Sequence, residues 1–360
     1  MEKTKNKYFL LLCALFVCLC LCAWLRTPRA ESLSERRKLA QMPTFSLKNW
    51  ESGIFSKDFE SYSQDQFPLR EPFRQLKALF STRILGRLDN NNIYEEDGFY
   101  AQLEYPENLS SATYAAQRFQ EIHSRYLQPS QKAYLCVIPD KGYFLRDNPK
   151  MDYTAFIDTL KQGTPFAEYI DIFPTLTLES YYRTDTHWRQ EALLPTAQTL
   201  LQGMEHPGAQ SREAADSGIC FLGVYSGQSA MPMAGEPLYY ISFPFLDSVQ
   251  VRDLENGKDI GIYNPDALTG KDPYEFFLSG SLSLISMENP QAATEDKLIV
   301  FRDSFGSSIA PYFLESYREV ILVDIRYIPT ERLGMVLDFE NADVLFLYST
   351  LVLNQSQTLK

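Results

Sequence analysis

A short apolar run that ends in a serine turn is the feature that most constrains the fold of this chain. Residues 297–306 read Lys-Leu-Ile-Val-Phe-Arg-Asp-Ser-Phe-Gly, and residues 307–316 carry apolar side chains at helical spacing. The pattern predicts a strand, a sharp turn and a helix. Ser304 would then lie near a helix N-terminus, where free N–H groups favour a developing negative charge. The alternative is an ordinary serine N-cap at a strand–helix junction.

Of the three histidines, only His187 has a chemical context, within Arg-Thr-Asp-Thr-His-Trp at 183–188. Imidazole is the usual general base for a serine, because its pKa lies near neutrality. Asp185 projects to the same side of an extended segment and can orient the ring. The alternatives are a surface turn or half of a metal site, but no further His or Cys ligands at a recognisable spacing are apparent nearby. We therefore expect no metal and no cofactor.

Together the two motifs resemble those of the DHHW proteins and of the alginate O-acetyltransferase group in the SGNH-hydrolase superfamily. Further motifs occur in supporting positions: Gln66–Arg70, Asn92–Tyr94 before Asp97-Gly98, Ile138–Lys141 and Val323–Arg326. The resemblance runs from about Phe45 to the C-terminus. It implies an SGNH-hydrolase-like α/β fold and a catalytic triad of Ser304, His187 and Asp185.

Two features depart from the family pattern. The serine follows the Asp/His pair, whereas ordinary SGNH enzymes have the serine first. Arg302 stands where a glycine usually precedes the serine by two residues, and this cation could crowd the turn or steer an anionic ligand. Trp188 is expected to give the imidazole an apolar wall. The weaker candidates for binding substrate or the oxyanion are Arg302, Trp188, Gly306, Arg326 and Gln228, and the alternatives for them are core packing, turn geometry or surface ion pairs.

The charge balance limits the class of partner. The chain has 34 basic and 46 acidic side chains, a net charge of −12. From residue 32 onward there are 29 basic and 44 acidic side chains, which gives −15. This charge argues against nucleic acid as a partner and against docking on an anionic membrane surface. The 22 tyrosines and 24 phenylalanines agree with a polysaccharide substrate only weakly, because most aromatic side chains are core.

The N-terminus predicts a membrane segment. Lys3, Lys5 and Lys7 precede a charge-free apolar run at 8–25, and Arg26 follows it. The length suits a bilayer-spanning helix, and the basic flank places the N-terminus inside and the rest outside the cell. We expect residues 1–31 to be an uncleaved single-pass anchor of the cell membrane. The alternative is a cleaved signal peptide and a secreted protein.

Strands and helices alternate along the rest of the chain, which favours a largely parallel sheet flanked by helices. The predicted helices are 50–62, 70–85, 114–127, 153–162 and 191–204. The predicted strands are 133–138, 167–173, 238–243, 248–251, 320–324 and 344–348, with a hairpin at 93–103. We expect residues 32–360 to form one extracytoplasmic domain. Residues 207–295 break the pattern and predict an irregular β-rich insertion beside the cleft, with a small separate domain as the alternative.

The resemblance and the expected location favour an O-acetyltransferase that acts on an exopolysaccharide or a cell-wall glycan. The resemblance also suggests a membrane-bound acyltransferase partner that supplies acetyl groups. A carbohydrate acetylesterase needs the same triad, since only the acceptor differs. A non-catalytic glycan-binding or assembly component is the third reading, and Arg302 is the residue that favours it.

Overall fold

The structure is a computed structural model that describes residues 2–360 and separates two units. The small unit comprises the chain up to Asn91 together with Ser226–Pro232. The large unit comprises Asn92–Tyr225 and Met233–Lys360, and it contains the predicted serine, histidine and aspartate. The domain boundaries expected at residues 31/32 and 207–295 stay predictions.

The small unit is mainly helical. Its helices and strands are α1 (Glu2–Leu25), β1 (Glu31–Ser32), β2 (Arg37–Lys38), α2 (Leu47–Glu51), α3 (Ile54–Asp65), α4 (Arg70–Leu79) and β3 (Asp89–Asn90). β1 and β2 pair antiparallel. The predicted helix at 50–62 is divided because Gly53, between α2 and α3, has a φ of 76°, a left-handed conformation that glycine adopts without a steric penalty.

The helix α1 contains the charge-free run 8–25. Among residues 2–360, no helix combines the length and the apolar character that crossing a bilayer requires. The membrane helix predicted within residues 1–31 is therefore not confirmed, and Met1 lies outside the described residues.

The large unit alternates helices and strands along most of its length. In chain order these are β4 (Ile93–Glu96), β5 (Phe99–Gln102), α5 (Leu109–Tyr126), β6 (Ala133–Ile138), α6 (Tyr153–Gly163), β7 (Glu168–Tyr169), α7 (Leu194–Gly203), β8 (Ala214–Phe221), α8 (Val224–Ser229), β9 (Glu236–Ile241), β10 (Gln250–Asp253), β11 (Lys258–Ile260), β12 (Leu284–Glu288), β13 (Lys297–Arg302), α9 (Gly306–Phe313), β14 (Glu319–Val323), β15 (Ala342–Ser349) and α10 (Thr350–Leu353). The helix α8 extends from the large unit into the segment of the small unit.

Eight of these strands form one sheet in the order β11-β10-β12-β14-β13-β15-β6-β7. The five strands from β14 to β7 run parallel. The other three, which come from the segment 207–295, pair antiparallel with their neighbours. Outside this sheet, β4 pairs antiparallel with β5, and β8 pairs antiparallel with β9. The predicted mixed α/β fold with a mostly parallel sheet is confirmed.

The apolar runs of the central strands are explained by helices on both faces of the sheet. Leu298 and Val300 of β13 pack in one core with residues of α7 and α9. Ile299 and Phe301 point the other way and pack with residues of α5 and α6. Alternate side chains of a strand face opposite sides, so a strand buried on both faces must be apolar throughout. β13 therefore ends in the middle of a three-layer structure.

Two predicted elements differ in the structure. The strand predicted at 167–173 is only β7, and the chain then forms a 3₁₀ turn at Phe173–Thr175 that begins with Phe173-Pro174. Proline has no N–H to donate to a sheet, so the strand ends before it. The helix predicted at 191–204 begins at Leu194, where Pro195 occupies the first turn, a position that proline favours.

Phe346 of β15 tests the core that supports this sheet. Its side chain is fully buried, with its ring centroid 4.6 Å from that of Phe119 and 5.1 Å from that of Phe301. Replacement Phe346→Ala leaves a cavity, and we expect it to lower the free energy of unfolding by about 3–5 kcal/mol in urea denaturation. Val336→Ala, at an exposed position, should change it by no more than about 0.5 kcal/mol. Similar small changes in both variants would contradict this description of the core.

Candidate active site

Ser304 lies in a tight turn between β13 and α9. The turn is held by Asp303, whose buried carboxylate accepts hydrogen bonds from the backbone N–H of Phe305 at 3.0 Å and of Ser349 at 2.8 Å. The hydroxyl of Ser349 donates a further hydrogen bond to Asp303 at 2.6 Å. Since Ser349 ends the neighbouring strand β15, Asp303 fixes the serine turn to the end of the sheet.

The segment that carries His187 is a tight antiparallel turn. Tyr181 forms a β-bridge with Trp188, the N–H of Tyr182 donates to the carbonyl of His187 at 3.1 Å, and the N–H of Arg189 donates to the carbonyl of Ser180 at 2.8 Å. Asp185 lies at the tip of this turn and is completely buried. The backbone of the turn thus determines where the His187 ring points.

The structure brings the three predicted residues together. His187 Nε2 lies 2.7 Å from Ser304 Oγ, and His187 Nδ1 lies 2.6 Å from Asp185 Oδ1. The other carboxylate oxygen of Asp185 accepts a hydrogen bond from the N–H of Val224 at 2.8 Å. Both oxygens of Asp185 are therefore occupied, and one ring nitrogen of His187 faces the serine while the other faces the carboxylate. This is the arrangement that base-activated serine chemistry requires.

Two aromatic rings contact the imidazole of His187. The Tyr274 ring stacks on the imidazole, with ring centroids 3.8 Å apart and planes 7° apart. The Phe305 ring is tilted against it, with centroids 4.9 Å apart and planes 52° apart. The expectation that Trp188 forms this wall is wrong. The Trp188 ring contacts Phe305 instead, with ring centroids 5.4 Å apart and planes 79° apart.

Trp188 instead joins the histidine turn to the serine helix. Its indole N–H donates to the carbonyl of Phe305 at 3.0 Å and to Ser308 Oγ at 2.8 Å, and its side chain is completely buried. The hydroxyl of Tyr274 also donates to Ser308 Oγ, at 2.9 Å. The buried Ser308 hydroxyl thus accepts hydrogen bonds from the stacking partner of His187 and from its neighbour in the chain.

Sequence reasoning missed Ser308 and could not place Tyr274 beside His187. Ser308 follows Ser304 by four residues, which in a helix is one turn along the same face. That spacing was the available signal, but serines at helix starts are common. Tyr274 lies 87 positions away from His187, and no local pattern links them.

The cation at position 302 is buried in the turn. Arg302 is 1% exposed, and its guanidinium donates to the carbonyls of Asp303 at 3.3 Å and Leu282 at 3.4 Å. Burial lowers its pKa, although the nearby Asp324 opposes this change. A Cβ atom added to Gly306 would lie 2.8 Å from Arg302 Cβ, so the stem of Arg302 occupies the space that this glycine leaves. Arg302 fills the turn and leaves the Ser304–His187 contact intact.

The remaining candidates have other neighbours. Arg326 pairs with Asp324 through hydrogen bonds of 2.9 and 2.5 Å. Gln228 lies in the small unit, where its carbonyl accepts a hydrogen bond from Asn91. The predicted substrate or oxyanion roles of Arg302, Trp188, Gly306, Arg326 and Gln228 stay predictions. Among residues 2–360, no group of three or more His, Cys, Asp or Glu side chains is placed to hold a metal ion.

Lys141, a residue of the Ile138–Lys141 motif, supports the histidine turn from within. Its ammonium group donates to the carbonyls of Tyr182 at 2.9 Å and Arg183 at 3.2 Å, just before Asp185. It also lies 4.7 Å from the centre of the Tyr225 ring. Burial lowers the pKa of Lys141 to about 7, although the negative charge of Asp185 acts in the opposite direction. Sequence reasoning noted the motif but not this contact.

Removing the Ser308 hydroxyl should weaken the connection between the two turns. In Ser308→Ala, Tyr274 loses its acceptor and Trp188 loses one of two, so we expect the free energy of unfolding to fall by about 1–3 kcal/mol. Ser307→Ala is the matched control, since Ser307 is also buried in α9 but its hydroxyl makes neither contact. Denaturant unfolding measures both variants, and equal losses would contradict the proposed role of Ser308.

Lys141 should make stability depend on pH. Its pKa is lowered from an ordinary value of about 10.4, so between about pH 7 and 10 the unfolded chain binds more protons than the folded chain. Stability from this group therefore rises with pH across that window, by at most about 1.4 kcal/mol per pH unit.

The variant Lys141→Met removes this titration. We expect its free energy of unfolding, measured in denaturant at pH 7, 8, 9 and 10, to rise less with pH than that of the wild type. Lys258→Met, at an exposed lysine of β11, is the control and should follow the wild type. An unchanged slope in Lys141→Met would show that Lys141 is not responsible.

Comparison with known proteins supports the fold. No family model matches the chain, and no curated protein matches it. A DHHW family protein from Eubacterium siraeum superposes with a TM-score of 0.61 at 17% identity, covering 74% of this chain and 93% of that one. The structure of Bacillus cereus PatB1 with a sulfonyl adduct superposes with a TM-score of 0.58 at 16% identity, covering 72% of this chain and 95% of that one.

The O-acetyltransferase domain of Pseudomonas putida AlgJ is more distant, with a TM-score of 0.46 at 11% identity, covering 73% of this chain and 92% of that one. At these identities the comparisons describe the fold and not the reaction. The chain therefore resembles the DHHW proteins in fold, as its motifs predict.

Proposed function

We propose that this protein is an extracytoplasmic O-acetyltransferase that modifies an exopolysaccharide or a cell-wall glycan through Ser304, His187 and Asp185. The observation that carries the proposal is the continuous hydrogen-bonded series from Asp185 through His187 to Ser304, with contacts of 2.6 and 2.7 Å. The likeness of fold to a DHHW family protein agrees with it.

In the first step His187 Nε2 takes the proton of Ser304 while the Ser304 oxygen attacks an acetyl carbonyl. Asp185 accepts the Nδ1–H bond, which holds the required tautomer and stabilises the imidazolium that forms. The stacked ring of Tyr274 keeps the imidazole in plane with the serine. The imidazolium then protonates the leaving group of the donor, and an acetyl ester remains on Ser304.

In the second step a sugar hydroxyl gives its proton to His187 and attacks the carbonyl of the acetyl ester. The bond between the carbonyl carbon and Ser304 Oγ then breaks, His187 returns the proton to Ser304 Oγ, and the O-acetylated sugar leaves. The oxyanion needs an N–H donor at the turn. The N–H groups of Phe305 and Gly306 already donate to Asp303 at 3.0 and 3.1 Å. The backbone N–H of Ser304 is therefore the donor that we assign to the oxyanion.

The same triad serves two alternative functions. If water replaces the sugar, the enzyme is a carbohydrate acetylesterase. The third alternative, a non-catalytic glycan-binding or assembly component, was favoured by Arg302 in place of a glycine. The burial of Arg302 against Gly306, with the Ser304–His187 contact intact, argues against this third alternative.

The proposed location is the outer face of the cell membrane, with residues 1–31 as the anchor. It is supported by the three N-terminal lysines and the charge-free run 8–25. The proposed acetyl source is a membrane-bound acyltransferase, which the motif resemblance suggests. Protease treatment of intact cells tests the location, and a requirement for the membrane fraction in acetyl transfer tests the partner.

Substitution of the three residues tests the chemistry. With the full chain and p-nitrophenyl acetate, we expect Ser304→Ala and His187→Ala to lower turnover by at least about 10³-fold. Ser307→Ala should retain activity, as the matched serine of the same segment. Mass spectrometry should find an acetyl group on Ser304 in the wild type.

A sulfonyl fluoride provides an independent measurement, because PatB1 is known with a sulfonyl adduct. We expect one sulfonyl group on wild-type Ser304 and none on Ser304→Ala or on a denatured control. Addition of an acetyl acceptor, such as a chitooligosaccharide, distinguishes transfer from hydrolysis, since only a transferase forms acetylated sugar. A folded wild type without turnover or adduct would overturn the catalytic proposal.

A further inference from the structure

The helix α4 and the residues that follow it expose an apolar surface. Leu69, Phe73, Leu76, Phe80 and Ile84, spaced by three or four residues, form one line along the segment. We call this line the apolar stripe. Each of its side chains is between 47% and 69% exposed. An ordinary surface helix buries its apolar face, so this segment has the opposite orientation.

The charged face of the same helix points into the small unit. Arg70 forms a hydrogen-bonded ion pair with Glu35, and Arg74 lies 3.3 Å from the same carboxylate. Arg74 also donates to the carbonyl of Gly227 at 2.6 Å. The side chains of Arg70, Arg74 and Glu35 are each less than one-fifth exposed. These ion pairs fix the rotation of the helix and keep the apolar stripe on the outside.

A second group of exposed aromatic side chains lies in the same unit. Phe45, Trp50, Phe55 and Phe59 contact one another in sequence, with ring centroids 5.3–6.1 Å apart. Phe45, Trp50 and Phe59 are 59%, 57% and 42% exposed. Tryptophan and other aromatic side chains are favoured at the boundary between lipid and water.

The charge of the small unit differs in sign from that of the remainder. Without residues 1–31, which form the proposed anchor, it contains ten basic and seven acidic side chains, a net charge of +3, whereas the large unit carries −18. The net negative charge that argues against an anionic membrane surface therefore belongs to the large unit. The exposed cations Lys77, Arg83 and Arg87 lie on or directly after α4. A basic amphipathic segment with an exposed apolar face is typical of a protein that lies on an anionic membrane.

We propose that the small unit lies on an anionic phospholipid bilayer, with the apolar stripe inserted at the level of the headgroups. The apolar stripe makes the apolar contact with the bilayer, and the cations Lys77, Arg83 and Arg87 are attracted to its anionic headgroups. The large unit has a net negative charge and is not attracted to them. This proposal rests on the proposed location at the membrane but not on the chemistry of Ser304. It adds a surface contact at 69–88 to the anchor proposed at 1–31.

Hydrogen–deuterium exchange of the full chain separates the two contacts. We expect vesicles of phosphatidylcholine and phosphatidylglycerol (3:1) to slow exchange in peptides from 69–88 by about tenfold, and peptides of the large unit to stay unchanged. Vesicles of phosphatidylcholine alone, or 0.5 M salt, should reduce this protection, because the attraction is electrostatic. Peptides from 8–25 report the proposed anchor independently.

The triple variant Phe73→Ser, Leu76→Ser, Phe80→Ser should lose the protection of 69–88. The matched control is Leu254→Ser, Met335→Ser, Val336→Ser, which changes three exposed apolar residues of the large unit and should keep it. Protection at 8–25 without any at 69–88 would overturn the proposal while leaving the anchor intact. Protection of 69–88 without vesicles that grows with protein concentration would also overturn it, since it would assign the stripe to self-association.

Discussion

The geometry of the candidate site depends on one buried indole. Trp188 belongs to the turn that carries His187, and its N–H binds the serine helix at Phe305 and Ser308, 117 and 120 residues further along the chain. Because Trp188 is fully buried, its polar group must find an acceptor inside the protein. The need to satisfy that single N–H therefore fixes the distance between two turns that no nearby part of the chain connects.

The polar groups around this contact form one connected hydrogen-bond network. Ser308 Oγ accepts from Trp188 and from Tyr274, and Tyr274 in turn covers the ring of His187. Gln190 adds a further link, since its side chain donates to the carbonyl of Ser308 at 2.8 Å. Such connected networks give one defined arrangement, because a shift of any member leaves a buried partner unsatisfied. The orientation of the imidazole is thus a property of the network and not of the triad alone.

The sequence predicted those features that depend on local pattern. The apolar runs at 133–138 and 298–301 could be identified as buried parallel strands, because both faces of such strands must be apolar. The pairing of His187 with Ser304 followed from the rarity of histidine and from the motifs. The wall of the imidazole could not be predicted, because Tyr274 comes from a segment without regular periodicity. Ser308 was missed because a buried acceptor has the same sequence pattern as a surface serine.

The contact between Arg302 and Gly306 limits how these positions can change during evolution. An alanine at 306 would place its methyl group against the arginine stem, so it becomes acceptable only after position 302 has lost that stem. An arginine can likewise arise at 302 only while 306 remains glycine. Substitutions at the two positions are therefore ordered, and the intermediate that connects the two solutions is the one with glycine at both. The two positions are thus coupled by steric contact, and which residue either one accepts depends on the residue at the other.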